Sequence, residues 1–97
     1  MKIVTVQIGN TDNKLTQQEW AHFVDEVGRA IIFHTSDIKD AVHFCAPSIG
    51  WSSWQNACWV FSCSTGGMIS LADRLTAIRA RYKQDSLAWT EGKTEFI

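Results

Sequence analysis

One proline, three cysteines, no apolar run near the length of a membrane span and no excess of either charge sign: these scarcities narrow the field before any motif is sought. Cysteines 45, 58 and 63 are odd in number and lack CxxC spacing, which argues against a disulfide framework and a zinc ribbon. They sit in apolar, strand-like runs and read as buried, reduced thiols. No stretch approaches the ~20 apolar residues that cross a bilayer, and the N-terminus runs directly into strand-like alternation. The expectation is a soluble, cytoplasmic chain that does not meet a membrane. Lys and Arg number 9 against 10 Asp and Glu, for a net charge of -1 and a pI near 6.2, so the basic footprint of a duplex DNA binder is missing. The sequence also holds no GxGxxG, Walker loop, serine elbow, HxT pair or paired-carboxylate signature.

What is present in excess is tryptophan. Trp51, Trp54 and Trp59 fall within nine residues, and Phe61 follows. Each large ring buries roughly 150 to 250 Å², about 4 to 6 kcal/mol at ~25 cal/mol per Å² before conformational costs. The run from Gln55 to Phe61 is apolar on both alternating faces, so it reads as a central strand covered on one side by the core and on the other by a partner subunit, a ligand or a nucleic acid. At 97 residues the chain has room for one core, and residues 1–97 are read as a single domain.

Six elements follow. Lys2 to Ile8 alternate as a strand, and Gly9-Asn10-Thr11-Asp12-Asn13 supplies turn chemistry. Thr16-Gln17-Gln18-Glu19 is a capping box flanked by a Leu15/Trp20 staple, so a helix starts at Gln17. Its stripe is Trp20, Phe23, Val24, Val27 and Ile31; Ile32 and Phe33 fall beside it, and capping the bottom of the core is preferred for them over covering a partner. Ala41 to Cys45 reads as a second strand, stopped by Pro47, and Asn56 to Ser62 as a third. Ser64-Thr65-Gly66-Gly67 breaks it before a helical pattern of Met68, Leu71, Leu75, Ile78 and Tyr82, with Arg74, Arg79, Arg81 and Lys83 outside the stripe. Ser86 to Thr90, with Thr94 to Ile97, makes a last strand bent around Gly92.

The order β-α-β-β-α-β points to an α+β, ferredoxin-like split βαβ plait: a four-stranded antiparallel sheet with two helices on one face. In that arrangement the loops 9–14, 47–54 and 83–86 converge on one edge. There Asn10, Asp12 and Asn13 offer polar groups, Trp51 and Trp54 stacking rings, and Arg81 and Lys83 positive charge, beside the first helix's free amides. Together these suit a small anionic, nucleotide-like ligand. The competing reading is plain turn chemistry for Asn10 to Asn13, and cations that complement a helix C-terminus.

A single-stranded nucleic-acid reading needs rings on the sheet's open face, for which Trp59, Phe61 and Trp89 are the candidates; RNP-type alternation is missing. An apolar open face on so small a plait more often pairs with a second copy, so a homo-oligomer is expected. Catalysis is disfavoured. Cys58 and Cys63 lie in an apolar strand that leaves a thiol inert, the His43/Cys45 pair reads as structural, and His22 beside Glu19 and Glu26 reads as a solvated surface rather than a metal site. No cofactor is expected.

The segments Ile8 to Thr16, Trp54 to Phe61 and Gln84 to Gly92 resemble stretches of small accessory proteins encoded in tailed-phage genomes. That group has no assigned activity to carry over residue by residue. The resemblance implies a setting: a compact phage protein acting in a host cytoplasm, where small oligomers block defence by sequestering a nucleotide signal or by binding a defence protein. The first reading is thus a non-catalytic oligomeric binder of a nucleotide-like ligand, a counter-defence sponge. The second is a protein-interaction module that inhibits a host protein through its aromatic surface.

Overall fold

Residues 2–10, 14–35, 56–93 and 97, together with the backbone of 42–46, are described by a computed structural model. Strand β1 (Lys2–Gly9) buries every second residue, Val4, Val6 and Ile8, and leaves Lys2 and Gln7 in water. It lies antiparallel to β3 (Asn56–Cys63), with Val4 opposite Phe61, Val6 opposite Trp59 and Ile8 opposite Ala57. Directly opposed residues of an antiparallel pair point to the same face. These six therefore make one apolar sheet face, all of it buried.

Strand β4 (Ala88–Gly92) pairs with the other edge of β1, and Val6 lies opposite Trp89. The backbone of β2 (Val42–Ala46) runs antiparallel along β3, which gives the order β2-β3-β1-β4. The chain is thus α+β, with β3, β1 and β4 as an antiparallel sheet under two helices.

Helix α1 (Gln17–His34) starts where its capping box dictates. The Glu19 amide donates to Thr16 Oγ1 at 3.2 Å, and the Thr16 amide donates to Glu19 Oε1 at 2.9 Å. Leu15 and Trp20, the staple pair, are both buried. The helix turns Trp20, Phe23, Val27, Ala30 and Ile31 into the core. A Cβ at Gly28 would stand 3.5 Å from Trp59 Nε1, ordinary contact distance, so this turn of α1 packs directly over Trp59. Phe33 is 83% exposed and Ile32 47%, so neither caps the core. The stripe ends with Ile31, and the next two positions rotate past the sheet.

Helix α2 (Thr65–Arg81) begins three residues ahead of the expected Met68. Ser64 is its N-cap, with Oγ accepting from the Gly67 amide at 3.2 Å. Gly66 and Gly67 form its first turn rather than breaking the chain. A Cβ at Gly67 would lie 2.9 Å from Cys63 Sγ and 3.1 Å from the His34 carbonyl, so only glycine fits between the end of α1 and the end of β3. Met68, Leu71, Leu75 and Ile78 close the core. No described helix is long and apolar enough to cross a membrane.

The open sheet face corrects the nucleic-acid reading. Trp59 and Phe61 lie under the helices, and Trp89, opposite Val6, shares their side. Register decides this: shifting β3 by one residue would exchange its faces, and the buried rings fix which way it sits. The other side of β1 and β3 presents Ile3, Thr5, Gln7, Cys58, Val60 and Ser62.

Candidate functional site

At one end of the molecule the start of α1 meets the end of α2. Phe23 and Tyr82 stack there with ring centroids 5.0 Å apart. The β1–α1 loop is organised from inside by Asn10, which is fully buried. Its Oδ1 accepts from the Leu15 amide at 3.1 Å, and its Nδ2 donates to the Leu15 carbonyl at 3.1 Å. Both ends of this side-chain amide are engaged in closing the loop, so Asn10 serves as a pin rather than as a ligand contact. Asp12, Asn13, Trp51 and Trp54 lie outside the described residues.

Two of the three loops expected to converge meet in their described parts, and the third, 47–54, lies outside the described residues. Lys14 Nζ stands 3.6 Å from Asp85 Oδ2, joining the β1–α1 loop to the α2–β4 loop. Arg81 is bound to Glu26 on α1, and its guanidinium lies 5.7 Å from the Tyr82 ring centroid. These pairings neutralise part of the positive charge at this edge. The capping box likewise uses the Glu19 amide of α1, so the helix start is less open to an anion than a bare one. The Thr16 bonds, with help from Lys83, hold the Glu19 carboxyl below its ordinary pKa.

Lys83 has an unusual backbone. Helix α2 ends in a Schellman motif, with the Gln84 amide donating to the Arg79 carbonyl at 3.1 Å and the Lys83 amide to the Ala80 carbonyl at 3.0 Å. The motif puts Lys83 at φ 56°, the left-handed region, where glycine is the usual occupant. Among the described residues it is the non-glycine residue with positive φ. The turn that follows is held by Arg79, whose Nη1 donates to the carbonyls of Gln84 at 2.7 Å and Asp85 at 3.3 Å. These bonds occupy residues 84 and 85 and delay β4 until Ala88, two residues after the expected Ser86.

Between α2 and β4 lies a cleft of about 380 Å³, floored by Leu75, Leu87 and Trp89 and edged by Thr76, Arg79 and Asp85. Trp89 is half-buried against the core, and its Nε1 donates to Glu91 Oε2 at 3.2 Å. Sequence reasoning missed this cleft because it weighed Trp89 only as a candidate ring for the open face and counted Arg79 only as a residue outside the helix stripe. The available signal was the parity of β4 with β1.

At the opposite end, where α1 stops and α2 starts, Phe33, Ile32 and Ile69 (64% exposed) are large apolar side chains left in water. A groove of about 880 Å³ runs between the helices from there, with His22, Arg29, Asp73 and Arg74 along it. Among the described residues no group of three or more His, Cys, Asp or Glu could hold a metal ion. Cys63 is buried, its thiol pKa pushed up by burial, and its Sγ donates to the His34 carbonyl at 3.6 Å; Cys58 is half-buried on the open face. His43 and Cys45 have side chains outside the described set.

No protein-family model matches the chain, and no curated protein does. Among solved structures it is similar to a de novo designed protein, Foldit4, with a TM-score of 0.64 at 4% identity, over 97% of this chain and 98% of that one. At such identity the likeness is one of fold alone.

Proposed function

We propose that this chain is a non-catalytic binding protein, built on a complete ferredoxin-like plait and acting as a homo-oligomer, that sequesters a small anionic, nucleotide-like ligand at the edge where its loops converge. The observation that carries the reading is the left-handed backbone of Lys83. A non-glycine residue there costs roughly 1 to 2 kcal/mol, and strain of this kind is retained where the side chain has a use. Its ammonium stands with Lys14, Arg79 and Arg81 at one end of the fold, four cations facing Glu19, Glu26 and Asp85. In this reading Lys83 takes the ligand's charge directly, and Arg81 and Lys14 follow by exchanging their carboxylates. Trp51, Trp54, Asp12 and Asn13, outside the described residues, are the further side chains that the sequence offers this site. The strand order β2-β3-β1-β4 is that of the plait and supports the fold assignment.

Counter-defence in a phage-infected cell is the setting implied by the sequence resemblance, and it leads to the test. The protein is purified from bacteria with an active nucleotide-signalling defence and weighed by native mass spectrometry, then denatured to identify what is released. A stoichiometric nucleotide on an oligomer is expected. An empty protein from cells that contain the signals overturns sequestration.

A second reading is favoured by a separate observation: Ile32 and Phe33 in the last turn of α1 and Ile69 near the start of α2 are all large apolar side chains left exposed. Exposed large apolar side chains at helix ends suit docking on a host protein. Replacing Phe33 with Ser removes that anchor without touching the core. Loss of a captured protein in the Phe33→Ser variant, with no nucleotide released from the wild type, selects this reading.

A further inference from the structure

We infer that the cleft between α2 and β4 is the subsite that takes the ring of a nucleoside 5′-phosphate, with Arg79 as the side chain that meets its phosphate. The inference rests on the nucleotide reading above and gives it a place that the sequence did not suggest. Three observations carry it. The cleft, about 380 Å³, falls within the range of small-ligand pockets and has the size of a base with its ribose. Its floor is apolar, made by Leu75, Leu87 and the indole of Trp89, and it therefore favours a flat ring over a hydrated ion. At its rim the Arg79 guanidinium is already fixed, because Nη1 is held by the carbonyls of Gln84 and Asp85.

That fixation matters chemically. A guanidinium presents five N–H donors, and here the two carbonyl bonds fall on a single nitrogen. Among the described residues Nη2 and Nε keep their donors, in a plane set before any ligand arrives. Two parallel N–H donors are the arrangement that binds a phosphate at two oxygens. The cleft opens beside Asp85, which Lys14 holds from the neighbouring loop, so a second cation stands within the same loop cluster. Trp89 is kept in its orientation by the bond from Nε1 to Glu91, and Glu91 is steadied in turn by Lys2 Nζ at 3.4 Å. Ring and cation are thus both positioned by the protein itself, which limits the ordering cost of binding.

The test is an amide and indole proton–nitrogen correlation spectrum of the intact chain, titrated separately with the four ribonucleoside 5′-monophosphates, with their four parent nucleosides and with inorganic phosphate. At least one monophosphate is expected to shift the Trp89 indole signal and the amides of Ser86 and Leu87. The matching nucleoside should bind at least about tenfold more weakly, the loss that a charge-assisted contact accounts for. Arg79→Lys should weaken the monophosphate by a similar factor. Since Arg79 also holds the turn, a second variant, Ala72→Leu, fills the cleft from α2 and leaves the guanidinium in place; it too should weaken binding about tenfold or more. Shifts confined to the surroundings of Lys14 and Lys83, unchanged in Ala72→Leu, overturn the cleft while leaving the nucleotide reading standing. Equal affinity for inorganic phosphate and for every monophosphate overturns the ring subsite. No shift with any monophosphate overturns both.

Discussion

Asn10 and Leu15 exchange two hydrogen bonds of 3.1 Å through the Asn10 side chain, which closes the β1–α1 loop as a backbone pair would. Asp at this position keeps the acceptor and loses the donor, leaving the Leu15 carbonyl facing a carboxylate in a site with no solvent access. Asn10→Asp and Asn10→Ala are therefore expected to destabilise the fold by about 1 to 3 kcal/mol, the usual effect of unpairing buried polar groups. Urea unfolding at neutral pH measures this. Under the proposed function, ligand affinity per folded molecule should change far less than stability, since both ends of the side-chain amide bond to Leu15.

The capping box of α1 makes a pH prediction. Glu19 has a folded pKa below its ordinary value because its carboxylate accepts from Thr16. A depressed carboxylate pKa means that the unfolded chain binds the proton more readily. The stabilisation is thus fully present above the unfolded value, about 4.3, and is lost as pH falls through the lower folded value. Thr16→Ala is expected to cost about 1 kcal/mol at neutral pH. In Glu19→Gln the amide oxygen can still accept from Thr16 but the contribution of the charge is gone, so neutral stability should fall toward the level wild type has in acid while the acid-limb slope shrinks. Thermal melts between pH 3 and pH 7 on the three proteins compare these directly.

Two adjacent glycines should respond in opposite directions. A Cβ at Gly66 meets nothing within 4 Å, whereas at Gly67 it meets Cys63 Sγ at 2.9 Å and the His34 carbonyl at 3.1 Å. Both sit in the first turn of α2. Gly66→Ala should gain roughly 0.4 to 1 kcal/mol by narrowing the unfolded ensemble. Gly67→Ala carries the same gain but forces α1 and β3 apart, and a net loss of about 1 to 3 kcal/mol is expected, the range for overpacking. Equal effects at the two positions in denaturant titrations would contradict the close approach at Gly67.

The same two glycines show where sequence reasoning reached its limit. A helix start marked by Thr16 and Glu19 is a local event, written in four residues, and it was legible. The start of α2 was not: Gly66-Gly67 reads locally as a breaker, and the need for glycine comes from His34, which lies far along the chain. Faces of strands behave likewise. Alternation in β1 shows that Val4, Val6 and Ile8 belong together, but β3 is apolar at Ala57, Cys58, Trp59, Val60 and Phe61 in succession, and only its register with β1 settles which rings are covered. Trp89, a candidate for the open face, follows the same rule, and its register with Val6 puts it on the helix side. At the loop edge Lys83 was legible as a charge and Asn10 as a turn residue. The left-handed backbone of one and the burial of the other depend on atoms that no spacing rule describes.

Under the proposed function, Lys83 sets stability against binding. At φ 56° the side chain makes the left-handed conformation expensive, and glycine relieves it. Lys83→Gly should raise stability by about 0.5 to 1 kcal/mol, the part of that cost that survives glycine's own entropy, because the Schellman bonds to Ala80 and Arg79 use only backbone atoms. Lys83→Asn, which also tolerates this region, should be neutral or slightly stabilising. Both changes remove an ammonium from the loop edge. If that charge is the reason for the strained lysine, nucleotide affinity should fall by about tenfold or more in each, although the fold is firmer. Calorimetric titration beside a denaturant curve gives both quantities on the same samples. Stability that rises while affinity is unchanged would assign the strain to no ligand and leave Arg79 to carry the phosphate alone.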